Sequence, residues 1–320
     1  MAYLWTLLGL VALVAGAELL VRGAVGLALR TGLSTTVIGL TVVSLGTGAP
    51  EFAVALRSGT GGDAALALGN AVGSNIANVL LVLGLAAVVA TAGLAVTERV
   101  VRTDVPLMAG VSVLVLVLAL DRTIGRWEGL ALLAGLVAYV AWTVRTASRE
   151  RDPAVTAEFD EAVDAGRGRP LWVSAGLGLA GLAALVVGAT WLVDGATEIA
   201  RAWGVPELVI GLTVVAIGTT APEIATSTLA ARRGEADLAV GNVVGSNLFN
   251  LLGVIGIAAV VTPAGIPVPD QAVRLDLPVM VGAALLCLPV FVRGWRVTRT
   301  EGVFFLCLYA AYLGALLLTG

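Results

Sequence analysis

VIGLTVVSLGTGAPE, residues 37–51, recurs as VIGLTVVAIGTTAPE, residues 209–223. The two stretches stand 172 residues apart. The same offset lays GNAVGSNIAN, residues 69–78, on GNVVGSNLFN, residues 241–250, and Gly23 on Gly195. Two unrelated apolar helices would share Leu, Val and Ala. Here the shared residues include Thr, Pro, Glu, Asn and Ser, which hydropathy does not select, so the chain is read as an internal duplication.

Around these stretches the chain is too apolar for a water-soluble core. Of its 320 residues 58% are hydrophobic and only 13% are charged, and the mean hydropathy is +0.99. The apolar residues fall in runs of about 20, the length a helix needs to cross a bilayer. Forty glycines fit close helix packing in lipid. Ten spans are expected, near 2–29, 34–58, 64–90, 104–120, 127–145, 171–200, 206–231, 236–261, 275–293 and 302–319. The predicted fold is an all-α membrane protein of ten transmembrane helices. A first five-helix repeat covers 1–145 and a second covers 171–320. Residues 146–170, rich in acidic residues and arginine, read as a polar cytoplasmic linker with too few apolar residues for a core. An odd number of spans per repeat forces the two halves to point opposite ways, the construction found in many secondary transporters.

Arginine supplies all 19 basic residues. With ten spans and the N-terminus outside, the inner segments hold 14 of them and the outer segments five (Arg57, Arg122, Arg126, Arg201 and Arg274). The positive-inside bias therefore predicts a multi-pass protein of the cell membrane with both termini outside. The first 20 residues lack a positive n-region and read as a retained helix rather than a signal peptide. The net charge of −3 gives no hint of a nucleic-acid partner, and no protein partner is evident. Histidine is absent, which removes a histidine base, metal ligand or proton relay. Cys287 and Cys307 lie in apolar runs and form no metal pattern. No cofactor is expected.

The chemistry concentrates where the duplication is most polar. Glu51 and Glu223 fall inside apolar spans, where an acidic side chain costs at least ~2.5 kcal/mol. No basic residue of their own helices can neutralise them at that depth. Pro50 and Pro222 cannot donate to the carbonyls of Gly46 and Gly218, so both helices should be interrupted there. Thr47 and Thr219 each precede a glutamate by one turn. Asn70, Ser74 and Asn78, and likewise Asn242, Ser246 and Asn250, are spaced by four and line one helix face each. Carboxylates, hydroxyls and free carbonyls are the hard oxygen ligands that calcium prefers. Ser74, Ser246, Asn75 and Asn247 are as consistent with helix packing as with ligation. Glu18 stands one turn from Arg22 and reads as half of an ion pair. Asp194 and Glu198 read as interfacial.

These paired G-T-x-A-P-E and G-N-x-V-G-S-N-x-x-N motifs resemble the two alpha repeats of the cation/calcium antiporters, in their prokaryotic sodium/calcium exchanger branch, and the resemblance runs over essentially the whole chain. It implies calcium and sodium competing for one central cluster. Glu51, Glu223, Thr47, Thr219, Asn78 and Asn250 would be its ligands, with backbone ligands at Ser44 and Ala216, and the first and sixth spans would slide between states. Two positions depart from the family pattern. Relatives commonly carry serine where this chain has Gly48 and Thr220, and many carry aspartate where it has Asn250, which leaves two carboxylates rather than three.

The expected function is thus exchange of calcium for sodium by alternating access. Proton/calcium exchange, or exchange of another cation such as potassium or manganese, is the alternative within transport. A cation channel is a third class. An intramembrane enzyme would need an activated nucleophile or a metal-bound water, and the site chemistry for either is missing.

Overall fold

The computed structural model describes residues 1–31, 33–61, 64–149, 170–204 and 216–319. Residues 150–169 of the expected linker, and the opening of the seventh span with its whole VIGLTVV run, lie outside the described residues, and the helix before the linker runs on to Arg149. Among those described, eight helices are long and apolar enough to cross a membrane. A ninth span is a pair of helices bent by 45°. Helix α1 covers Ala2–Thr31; the bent pair is α2, Thr35–Thr47, and α3, Ala49–Thr60. Helices α4, Ala64–Val89, and α5, Val100–Asp121, follow, then α6, Arg126–Thr146, and α7, Leu171–Ala202. After the short α8, Ala216–Thr219, and α9, Ala221–Arg232, come α10, Ala236–Val261, α11, Ala272–Val292, and α12, Arg299–Leu318.

Large apolar side chains such as Leu7, Leu10, Val14 and Leu179 are exposed along α1 and α7. Patches of that kind are unstable against water and natural against lipid. With its long apolar helices, the chain is an all-helical membrane protein.

The polar stripes occupy the centre. Helix α10 is 89% buried over its apolar window and α4 72%, whereas α6 and α12 are each 22% buried and sit at the rim. Helices α1 and α7 lean together on that core as an antiparallel pair. Glycines at seven-residue spacing let their backbones touch: a Cβ at Gly16 would stand 2.8 Å from the Leu185 nitrogen, and one at Gly188 would stand 2.8 Å from that of Leu13.

Short antiparallel ribbons tie the loops. Strand β1, Leu94–Ala95, pairs with β4, Arg296–Val297, and β2, Thr123–Ile124, pairs with β3, Ile266–Pro267. Helix α5 begins beside β1 and ends beside β2, and its 22 residues rise roughly 33 Å. The two ribbons therefore cap opposite ends of the bundle.

Several helices start earlier than hydropathy suggests. Helices α5 and α11 begin at Val100 and Ala272, not 104 and 275, because a polar π-helical turn opens each. The aspartate closing that turn is met by a tyrosine: Tyr139 Oη donates to Asp104 at 3.2 Å, and Tyr312 Oη donates to Asp276 at 2.9 Å. Helix α12 starts at Arg299, not 302, because Thr298 and Glu301 form a capping box, with Glu301 accepting from the Thr298 nitrogen at 2.8 Å. Glu128 caps α6 likewise, accepting from the Gly125 nitrogen at 2.6 Å.

Candidate functional site

The two interruptions are equivalent. Gly48 separates α2 from α3 with φ −79° and ψ 2°, and Thr220 separates α8 from α9 with φ −86° and ψ 0°. Each break comes two residues before its proline, so the glutamate lies in the first turn of the helix that restarts. Glu51 is 1% exposed and Glu223 2%. Glu223 lies within electrostatic reach of Glu51 and beside the Thr47 hydroxyl. No ion pair neutralises either carboxylate among the described residues. Two acids from separate breaks thus share one buried centre.

The surrounding polar atoms are short of partners in a consistent way. Glu51 Oε2, Glu223 Oε2, Asn78 Oδ1, Asn250 Oδ1 and Ser246 Oγ are all buried without a hydrogen bond. Orphaned buried polar atoms are rare because each forfeits its hydration. These five orphaned atoms are all oxygens, the kind of donor a hard cation takes. The amide of Asn250 is held, since its Nδ2 donates to Asn75 Oδ1 at 3.2 Å, and Asn75 Nδ2 in turn donates to the Asn247 carbonyl at 3.4 Å. This orients Asn75 as a positioning residue and leaves the Asn250 oxygen free.

Each stripe also packs against the other half. Thr47 Oγ1 donates to Asn242 Oδ1 at 3.3 Å, and Asn242 Nδ2 donates to Ser227 Oγ at 2.9 Å. Ser44 is buried, and its hydroxyl stands 2.6 Å from the Gly39 carbonyl and 3.1 Å from that of Asn242, so its side chain is committed to packing. Ser74 and Thr219 stand apart from this knot, on the wall of a cavity of about 370 Å³. Thr220 is buried at its break, and Ala216 heads α8.

Packing accounts for Gly48. A Cβ there would stand 2.9 Å from the Phe249 ring, and that ring stacks on Phe52 at 6.0 Å. The repeat mate of Phe249 is Ala77, and that of Gly48 is Thr220. The small residue at the break therefore goes with the large one in the stripe, and the reverse holds in the other half.

Some participants were not singled out from sequence. Ser227 is one. Asp104 is another: it is fully buried, lies 3.6 Å from Arg99 and bonds Tyr139. Its mate is Asp276. Their contexts, VVRTDVPLM at 100–108 and AVRLDLPVM at 272–280, repeat at the same 172-residue offset, and that is the signal that finds them. Glu18 pairs with Arg22 as expected and also with Arg233, at the end of α9. Asp194 and Glu198 are exposed.

Known proteins resemble the chain in sequence and in fold. The family model described as sodium/calcium exchanger protein matches residues 1–145 and 173–318. The chain is 35% identical over 316 residues to the putative antiporter CaxA of Alkalimonas amylolytica, covering 97% of both chains. It is 31% identical to the sodium/calcium exchanger MaX1 of Methanosarcina acetivorans, again covering 97% of both. The solved sodium-calcium exchanger NCX_Mj, soaked with 10 mM sodium and no calcium, superimposes with a TM-score of 0.84 at 29% identity over 98% of each chain. The chain is a membrane ion antiporter of the cation/calcium antiporter family, and within it belongs to the prokaryotic sodium/calcium exchanger branch.

Proposed function

We propose that the protein exchanges calcium for sodium across the cell membrane by alternating access. The observation that carries this reading is the pair Glu51 and Glu223, both buried with no basic partner among the described residues, together with orphaned oxygens on the motifs that carry them and on the polar stripes. Two negative charges in a low-dielectric centre are costly unless cations neutralise them. One calcium or two monovalent ions would do so equally, which is the condition for exchange at one site. Thr47, Thr219, Asn78, Asn250, Ser74, Ser246 and Thr220, with the backbone at Ser44 and Ala216, are the other ligands in this reading.

The architecture we propose is ten transmembrane helices in two inverted five-helix repeats, 1–145 and 171–320, joined by a cytoplasmic linker at 146–170, with both termini outside. Strands β1 and β3 are repeat mates, yet they belong to ribbons at opposite ends of the bundle, which supports inversion. The glycine seam supports α1 and α7 moving as one body against the core.

The test is calcium flux in proteoliposomes under imposed sodium, potassium or proton gradients. A sodium gradient at fixed pH should drive calcium. Flux driven only by a proton or potassium gradient would reject sodium coupling. With two carboxylates the simplest ratio is two monovalent ions per calcium, so uptake at a fixed sodium gradient should ignore membrane potential. A strong voltage dependence would reject that ratio. Asn250→Asp should add pH dependence to the flux, because a third carboxylate beside two others resists full ionisation.

A further inference from the structure

The repeat places one aspartate at each end of the bundle, and their surroundings differ. Asp104, toward the β1·β4 ribbon, is fully buried, with Arg99 at 3.6 Å and Tyr139 bonded to it. Arg99 itself lies under the Trp142 ring, 5.4 Å from its centroid. This carboxylate is neutralised and sealed. Asp276, toward the β2·β3 ribbon, keeps only the tyrosine among the described residues, Tyr312 at 2.9 Å. The repeat mate of Arg99 is Gln271, which brings no charge. The nearby Arg274 and Arg122 pair with Asp270 instead.

Asp276 also has somewhere to act. It lines the cavity of about 370 Å³ together with Gln271, Tyr312, Asn70, Ser74 and Thr219. The chain path fixes which way the cavity runs. Gln271 and Asp276 lie at its ribbon end, while Ser74 and Thr219 lie deeper, in the motifs that carry the central glutamates. Ser74 is 5% exposed, has no hydrogen-bond partner among the described residues and is part of the cavity wall. A negative charge at the mouth and oxygens along the wall make a graded path for a positive ion, and a charge at the mouth of a low-dielectric cleft concentrates its counter-ion there. One carboxylate with a few neutral oxygens falls short of the six to eight oxygens that strip calcium of water, so the ion it takes is hydrated.

We infer that Asp276, with Gln271, Asn70 and Ser74, forms a vestibule that recruits hydrated calcium on the β2·β3 face before the ion reaches Glu51 and Glu223. Asp104, neutralised by Arg99, gives the opposite face no equivalent among the described residues, so the two faces admit calcium with different affinities. The inference rests on the cation-exchange reading above.

The experiment is uptake of labelled calcium against unlabelled internal calcium, which needs no assumption about the counter-ion. Right-side-out and everted membrane vesicles are compared at low and high choline chloride. Asp276→Asn keeps an oxygen to accept from Tyr312 and removes only the charge. In one vesicle orientation and at low salt, it should raise half-saturating calcium about 3- to 10-fold with the maximal rate unchanged. High salt should erase the difference, because exposed charges are screened. Gln271→Arg, on an exposed side chain, should act in the same direction, and Gln271→Glu should lower half-saturating calcium. No uptake by the wild type would overturn the exchange reading and this inference with it. Wild-type uptake combined with an unchanged half-saturation in Asp276→Asn, or with an equal change in both orientations, would overturn the vestibule alone. So would a fall in maximal rate at both salt levels, which marks a structural role.

Discussion

Asn242 and Asn70 are the same residue of the duplicated unit, yet they lead different lives. Asn242 is fully buried and tied to Thr47, Ser227 and Ser44 across the two halves. Asn70 is half-buried on a cavity wall, and its Nδ2 has no partner among the described residues. Sequence accounts for much of this difference. Two of Asn242's partners have apolar mates, Ser227 with Ala55 and Ser44 with Ala216, and only Thr47 has an identical mate, Thr219. Arg99 and Gln271 differ in the same way, and there the difference is one of charge. Near-symmetric motifs thus carry one asymmetry of hydrogen bonding and one of charge, and mutation can separate the two.

The centre, common to both ends, should respond most and equally. Glu51→Gln and Glu223→Gln should each cut calcium exchange by about 100-fold or more, since each removes half the charge facing a dehydrated divalent ion. A large inequality between them in tracer uptake would break the idea of a shared centre. The charge asymmetry comes next. Arg99→Gln strands a buried carboxylate and should cost about 3–5 kcal/mol, whereas Gln271→Ala on the surface should stay within about 0.5 kcal/mol. Thermal unfolding in detergent measures both. The hydrogen-bonding asymmetry is smaller. Asn242→Ala leaves Thr47 and Ser227 without their bonds and should cost about 2 kcal/mol, against under about 1 kcal/mol for Asn70→Ala. Equal losses would mean that the bonds of Asn242 to Thr47 and Ser227 contribute nothing to stability. The smallest effect tests a feature that both halves share: Glu128→Ala and Glu301→Ala each remove a helix cap and should each cost about 1 kcal/mol.

Much of this was legible in the sequence, and for definite reasons. A proline and a glutamate in an apolar run announce themselves because each is expensive there, and finding them twice at one offset made the pairing of halves readable. The Asp104–Tyr139 and Asp276–Tyr312 pairs were not read. The aspartates keep the 172-residue offset, but the tyrosines stand 173 apart, so a fixed-offset comparison slips out of step between them. The turn before α6 and α12 explains the slip: there Arg122 carries positive φ in the first half, while Gly294 and Trp295 both do in the second. Hydropathy also placed the starts of α5 and α11 at 104 and 275, inside their polar π turns, so each aspartate fell at a supposed helix end. The role of Gly48 was out of reach for a different reason. Its partner Phe249 comes from the other half, and a one-dimensional reading sees only a missing hydroxyl.

The seam between α1 and α7 has a further consequence. Gly9, Gly16 and Gly23 are the mates of Gly181, Gly188 and Gly195, and every approach maps onto its own counterpart. Gly16 meets Gly181 and Leu185; Gly188 meets Gly9 and Leu13. Gly23 meets Ser174 and Gly178, and Gly195 meets Ala2 and Thr6, which occupy the same places in the other copy. The patch is therefore self-complementary, the defining property of an isologous dimer contact. A single ancestral unit inserted in both orientations would already have carried everything needed to recognise its upside-down twin, and gene fusion would have had only to fix the partnership in one chain.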